Sequence, residues 1–163
     1  MFEDHTPQKV LYCYGVYQPL FDEMKKTCSF IVFHEGLPEK EIVENFAHKQ
    51  HNVIVLDDLI HLVVNDPTTE TLFTRGCHHK FLSCILLTQN IFQQGKCART
   101  IALNTSYLIL FRNYRDSSQI ITLGRQIAPG HTDDFIQAYK DATSDAYGYL
   151  VIDMTPNAED RYR

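Results

Sequence analysis

Four apolar residues followed by two acids, Val53-Ile54-Val55-Leu56-Asp57-Asp58, form the part of this sequence best arranged to do chemistry. A continuous apolar run reads as a strand buried on both faces. Its last residues emerge at the C-terminal edge of a parallel sheet, where open α/β sheets bind ligands. A carboxylate there can hold magnesium, and a second can orient the water that attacks a phosphoryl group. The same letters also describe a strand followed by an acidic helix cap. Leu86-Leu87-Thr88-Gln89-Asn90 repeats the arrangement with neutral groups. Gln89 and Asn90 can hydrogen-bond a terminal phosphate or its attacking water without adding charge, or can form a plain turn after a core strand. The two words lie about 30 residues apart, the length of a βαβ unit, which predicts neighbouring strands and a shared crevice.

Other reactive residue types are arranged less favourably. A phosphate-binding loop reads G-x-x-x-x-G-K-[ST] after a strand. The only Gly-Lys is Gly95-Lys96, with Asn90 in place of the first glycine and Cys97 in place of the hydroxyl residue. No cradle of backbone N–H groups is therefore expected, and nucleotide binding should be weak or absent. Cys77-His78-His79, with His48, His51 and His61 upstream, contain no pair at zinc-ligand spacing. Adjacent helical residues diverge, so these read as surface or capping histidines rather than as a metal centre or a Cys77–His78 nucleophile and base. Asp22 and Glu23 read as a solvated helix face. Basic residues cluster loosely (Arg75, Lys80, Lys96, Arg99, Arg112, Arg115, Arg125) and several follow strand ends. Such an arginine can reach a neighbouring subunit's nucleotide or a DNA phosphate, or can simply balance acidic surface.

Strands and helices must alternate to hold these words in place. Strands are predicted over 9–16, 29–34, 51–56, 82–88, 106–112 and 147–153. Helices are predicted over 17–26, 39–48, 68–79, 99–104, 116–126 and 132–143. Pro19 suits a first turn, and Asp116-Ser117-Ser118 and Thr132-Asp133-Asp134 have capping composition. Apolar strands separated by helices predict an α/β fold with a mostly parallel sheet covered on both faces. Tyr107, Phe111, Tyr147 and Tyr149 alternate along strands and are expected in the core. No repeat, low-complexity segment or linker interrupts residues 9–153, so one domain is expected, with a polar tail over 155–163.

Composition narrows the function classes. With 163 residues the chain can bury a real core, and 21% charged residues is an ordinary globular balance. No apolar run is long enough for a membrane span, and Met1-Phe2-Glu3-Asp4-His5 does not resemble a signal peptide, so an intracellular protein is expected. A net charge of −5 argues against a free-standing DNA-binding module, but not against a ring motor with basic loops facing its pore. Five irregularly spaced cysteines read as reduced thiols; Cys13, Cys28 and Cys84 lie in or beside apolar runs.

Several longer words resemble a known family. They are Tyr12-Cys13-Tyr14-Gly15-Val16-Tyr17-Gln18-Pro19-Leu20-Phe21, Phe33-His34-Glu35-Gly36-Leu37-Pro38, Val55-Leu56-Asp57-Asp58-Leu59, Leu87-Thr88-Gln89-Asn90-Ile91-Phe92 and Asp141-Ala142-Thr143-Ser144 through Tyr147-Gly148-Tyr149. Together, from about Lys9 to Asp153, they resemble the DNA-packaging ATPases of the FtsK–HerA type of P-loop enzymes. Members occur in poxvirus-like large DNA viruses, adintoviruses and Polinton elements.

The resemblance implies a RecA-like core and a homo-oligomeric ring that uses ATP and magnesium to drive double-stranded DNA. It implies Asp57 as the magnesium ligand, Asp58 as the water-activating acid and Gln89 as the sensor, assisted by Asn90. Arg75 and Arg99 are the candidates for an arginine acting in trans. In the family a strand, the phosphate loop and its helix precede the segment matching Lys9 to Gln18, and these are missing here. The expected core therefore lacks its first strand, which belongs beside the sensor strand, and is expected to be inactive. Two inner strand edges would be left open at a cost, and the chain would then pair the flanking strands, borrow a strand from another chain, or fold poorly. The alternative is a non-catalytic binding module that assembles with a full-length ATPase or another partner.

Overall fold

The computed structural model describes residues 7–46, 51–76, 82–156 and 158, with residues 75 and 76 described by their backbone alone. The chain divides into two compact units, one ending at Asn104 and the other beginning at Thr105.

The first unit is α/β. Strands β1 (Val10–Tyr14), β2 (Ile31–Glu35), β3 (Asn52–Asp57) and β4 (Leu82–Leu87) form one parallel sheet in the order β2-β1-β3-β4. The central β3 is the most deeply buried strand. Its start is anchored by the buried Asn52, whose Oδ1 accepts from Lys9 N and whose Nδ2 donates to Phe46 O, so burying the amide leaves no group unpaired.

Helices lie on both faces. Helix α1 (Leu20–Thr27) places Phe21 against Tyr12, Tyr14 and Phe33, with Pro19 at its N-cap. On the other face, α2 (Lys40–Phe46), α3 (Ile60–Val63), α4 (Pro67–Thr71), the π-helical turn Leu72–Gly76 and α5 (Ala98–Leu103) surround a core of Leu11, Cys13, Ile54, Leu56, Leu82 and their neighbours. α3 escapes sequence prediction because one turn is too short to show a helical period. The predicted helix over 68–79 becomes α4 plus the π turn; Cys77, His78, His79, Lys80 and His48 lie outside the described residues.

Cys13 is fully buried in this core, and burial pushes its thiol up to about 12. It is expected to stay unmodified by a thiol reagent in the native protein and to react only after unfolding, whereas the half-buried Cys28 and Cys84 react sooner. Mass mapping of alkylated peptides checks this; early labelling of Cys13 would contradict the buried position.

The second unit pairs β5 (Tyr107–Phe111) with β6 (Tyr149–Asp153) in a separate antiparallel sheet. Helices α6 (Ser117–Ile127) and α7 (Thr132–Ala142) pack together, and α7 packs on β6. The buried Tyr139 on α7 donates its hydroxyl to Phe111 O and accepts from Asn113 N, pinning the end of β5.

Two sequence expectations fail here. The last two strands are not part of one parallel sheet with the first four: β5 and β6 pair with each other, antiparallel, within the second unit. Tyr107, Phe111, Tyr147 and Tyr149 are not core residues; Tyr147 is 94% exposed. The physical reason is one-sided cover. Leu110 and Ile152 are buried on one face of the pair, leaving Tyr107, Ile109, Phe111, Tyr149 and Val151 exposed.

Candidate functional site

Parallel register decides what meets at the sheet's C-terminal edge. Tyr14 is level with Asp57, and Asp57 is level with Leu87. Asp57 and Asp58 therefore leave β3 beside the strand from which Gln89 and Asn90 emerge. Chain direction adds a crevice. The connection after β1 passes to β2 on one side, and the connection after β3 passes to β4 on the other. Connections diverging in this way make a switch point between β1 and β3, where open α/β sheets receive ligands.

Asp57 is the last residue of β3 and half-buried. Its Oδ2 accepts a hydrogen bond from Tyr12 Oη at 2.8 Å, across the β1–β3 pairing. Burial, then that hydrogen bond and the Asp57 charge, push the Tyr12 phenol up to about 12, so Tyr12 remains a donor at neutral pH. Asp57 Oδ1 makes no hydrogen bond among the described residues.

Asp58 is exposed and adopts φ 55°, a left-handed conformation that aspartate tolerates. The turn is held by Gly15, whose N–H donates to Asp57 O at 3.1 Å. A Cβ at Gly15 would sit 2.9 Å from Asp58 O, so a side chain there would push the acidic turn away. Gly15 is thus a site-shaping residue that sequence reading did not single out.

Gln89 is exposed in the bend after β4. Asn90 has a local structural task. Its Oδ1 accepts from Phe92 N at 2.9 Å, its Nδ2 donates to Gln93 Oε1 at 3.1 Å, and its N–H donates to Thr88 Oγ1 at 3.1 Å. These bonds build a side-chain-capped turn and position Gln89. Arg99 is exposed on α5, and Arg75 lies in the π-helical turn.

Gly95-Lys96 forms no phosphate loop. The chain there runs against the α3–α4 connection, where Cys97 N–H donates to Val64 O at 2.8 Å. Cys97 is buried; burial, then the Glu70 carboxylate, push its thiol up. Sequence reading missed this burial because the residue stands outside any apolar run.

The donors at the sheet edge are oxygens, which suits a hard cation such as magnesium held by one or two carboxylates with waters and phosphate. A zinc-type cage is a different matter: among the described residues, no group of three or more His, Cys, Asp or Glu side chains is arranged to hold a metal. Asp57, with one oxygen fixed and the other uncommitted, fits the open, single-carboxylate kind of site. Also among the described residues, no helix is long and apolar enough to cross a membrane.

Comparison of the chain with known protein families, curated proteins and solved structures found no match.

Proposed function

We propose that the C-terminal edge of the parallel sheet is the magnesium- and water-handling part of a nucleotide site of the genome-packaging ATPase type, set in a RecA-like core. Residues 1–163 contain no G-x-x-x-x-G-K-[ST] cradle, so these residues by themselves would hold ATP only weakly. The observation that carries this reading is the β3–β4 register, which sets Asp57 level with Leu87, so that Asp58 and Gln89 follow from the ends of neighbouring parallel strands. Asp57 would hold the magnesium ion, which when bound neutralises charge on the terminal phosphates. Asp58, exposed on its left-handed turn, would accept a proton from a water, and Gln89 would orient that water. Arg99, exposed on α5, and Arg75 are the candidates for the arginine that acts in trans in the DNA-driving rings of that ATPase type. The RecA-like assignment rests on the strand order together with the quoted sequence words.

A second reading, a binding module that assembles with a catalytic partner, is favoured by one observation. Ile85 and Leu87 are exposed on the terminal strand β4. Large apolar residues on an edge strand suit an added strand.

Calorimetric titration of wild type and Asp57→Ala with magnesium–ATP tests the reading. The expected result is no micromolar binding, because the backbone cradle supplies most of the grip on phosphate. Micromolar binding that Asp57→Ala abolishes would overturn the inactive site. A parallel titration with Mn²⁺, followed by amide NMR, is expected to broaden Asp58 and Gln89 selectively. Broadening elsewhere, or none, would overturn the metal-binding edge.

A further inference from the structure

We propose that Tyr12 is a positioning residue for the metal carboxylate, acting through Asp57. The proposal rests on the reading of Asp57 as the magnesium ligand and adds a residue to that site.

Tyr12 stands in the middle of β1, level with Val55 on β3 and Phe33 on β2. Its side chain therefore shares a sheet face with Asp57, two residues beyond Val55. The ring is fixed from two directions, with centroids 5.4 Å from Phe21 and 5.5 Å from Phe33. Phe21 is itself buried and touches Tyr14 and Tyr17, so the aromatic cluster is braced by the first turn of α1. A ring held this way carries its hydroxyl to one place. That hydroxyl donates to Asp57 Oδ2 at 2.8 Å.

The consequence for Asp57 is directional. A carboxylate at a strand end can otherwise rotate about its last side-chain torsion and present either oxygen. With Oδ2 committed to Tyr12, the plane is fixed and Oδ1 is the oxygen left for a cation. Gly15 restrains the backbone of the same residue through its bond to Asp57 O. Side chain and main chain of Asp57 are thus held from β1 and from the residue that follows that strand. Hydrogen bonds of this kind to a metal ligand typically matter about 10–100-fold in metal affinity.

The test is Mn²⁺ binding, read as the loss of free-ion signal in electron paramagnetic resonance, on wild type, Tyr12→Phe, Asp57→Asn and the double variant. Phenylalanine keeps the ring packing, so Tyr12→Phe is expected to fold as wild type by circular dichroism. Its Mn²⁺ dissociation constant is expected to rise about 10–100-fold. In the Asp57→Asn background the same change is expected to have no effect, because the route of action has gone. A purely structural hydroxyl would instead move the unfolding midpoint and leave Mn²⁺ affinity alone. Unchanged affinity in Tyr12→Phe, with wild-type binding still dependent on Asp57, overturns the role of Tyr12 and leaves the site standing. Wild-type binding that Asp57→Asn does not weaken overturns the metal-ligand reading, and the positioning role with it.

Discussion

Replacing Leu56 by alanine is expected to destabilise the first unit by about 2–5 kcal/mol, the range for emptying a fully buried leucine site. Leu56 is 0% exposed and sits on the central strand, with Cys13 level on one side and Leu86 on the other. It packs in the same cluster as Leu59 and Val63, which come from the turn and helix after the strand. A cavity here has neighbours from the sheet and from α3, and the strands cannot move in without breaking ladder bonds. A typical domain holds only about 5–15 kcal/mol in reserve, so the variant should lose a large part of its margin. Urea unfolding followed by circular dichroism reads the change as a lower midpoint with an unaltered slope. A loss under about 1 kcal/mol would mean the site collapses freely, contradicting the packed core.

Gly95→Ala is the second large effect, and it tests the one Gly-Lys in the chain. A Cβ at Gly95 would meet Val64 O at 2.5 Å and Val64 Cβ at 2.6 Å. Val64 is buried, and its carbonyl already accepts from Cys97. The added methyl therefore meets backbone rather than the tip of a flexible side chain, and the loop entering α5 has to shift. Overpacking of this kind costs about 1–3 kcal/mol, sometimes more. Gly36→Ala is a useful contrast, because Gly36 has φ +80° and no atom near its absent Cβ. Only backbone strain opposes that change, at a cost of about 1 kcal/mol. Gly95→Ala is expected to be the more damaging of the two by thermal or urea unfolding. The reverse order would remove the close approach and reopen the question of what Gly95 does.

The strands were the most legible part of the sequence. All six apolar runs fold as strands at close to their expected bounds, because a short run of β-branched, aliphatic and aromatic residues is a local signal whether one face or two are later covered. The acidic pair and the Gln89-Asn90 turn were legible for the same reason, since each ends such a run. Asn90 was legible as a polar group near the chemistry or as part of a plain turn. Its bonds to Phe92, Gln93 and Thr88 come from the path of the turn, which residue type does not specify. Gly15 was invisible because its role depends on the Asp57 and Asp58 carbonyls, which come from a distant part of the chain.

Which residues form strands, where those strands end and which carboxylates stand at their tips follow from the order of residue types, because hydrophobic periodicity is a local property of the chain. Which strand lies beside which is not local. The order β2-β1-β3-β4, the separate antiparallel β5–β6 pair with its exposed aromatic face, and the bond from Tyr12 to Asp57 arise only when distant segments compete for the same edges and faces. Pairing and burial are decided by that competition, so Tyr12 and Tyr149, both aromatics in strands, end up as a braced donor beside a carboxylate and as an exposed ring.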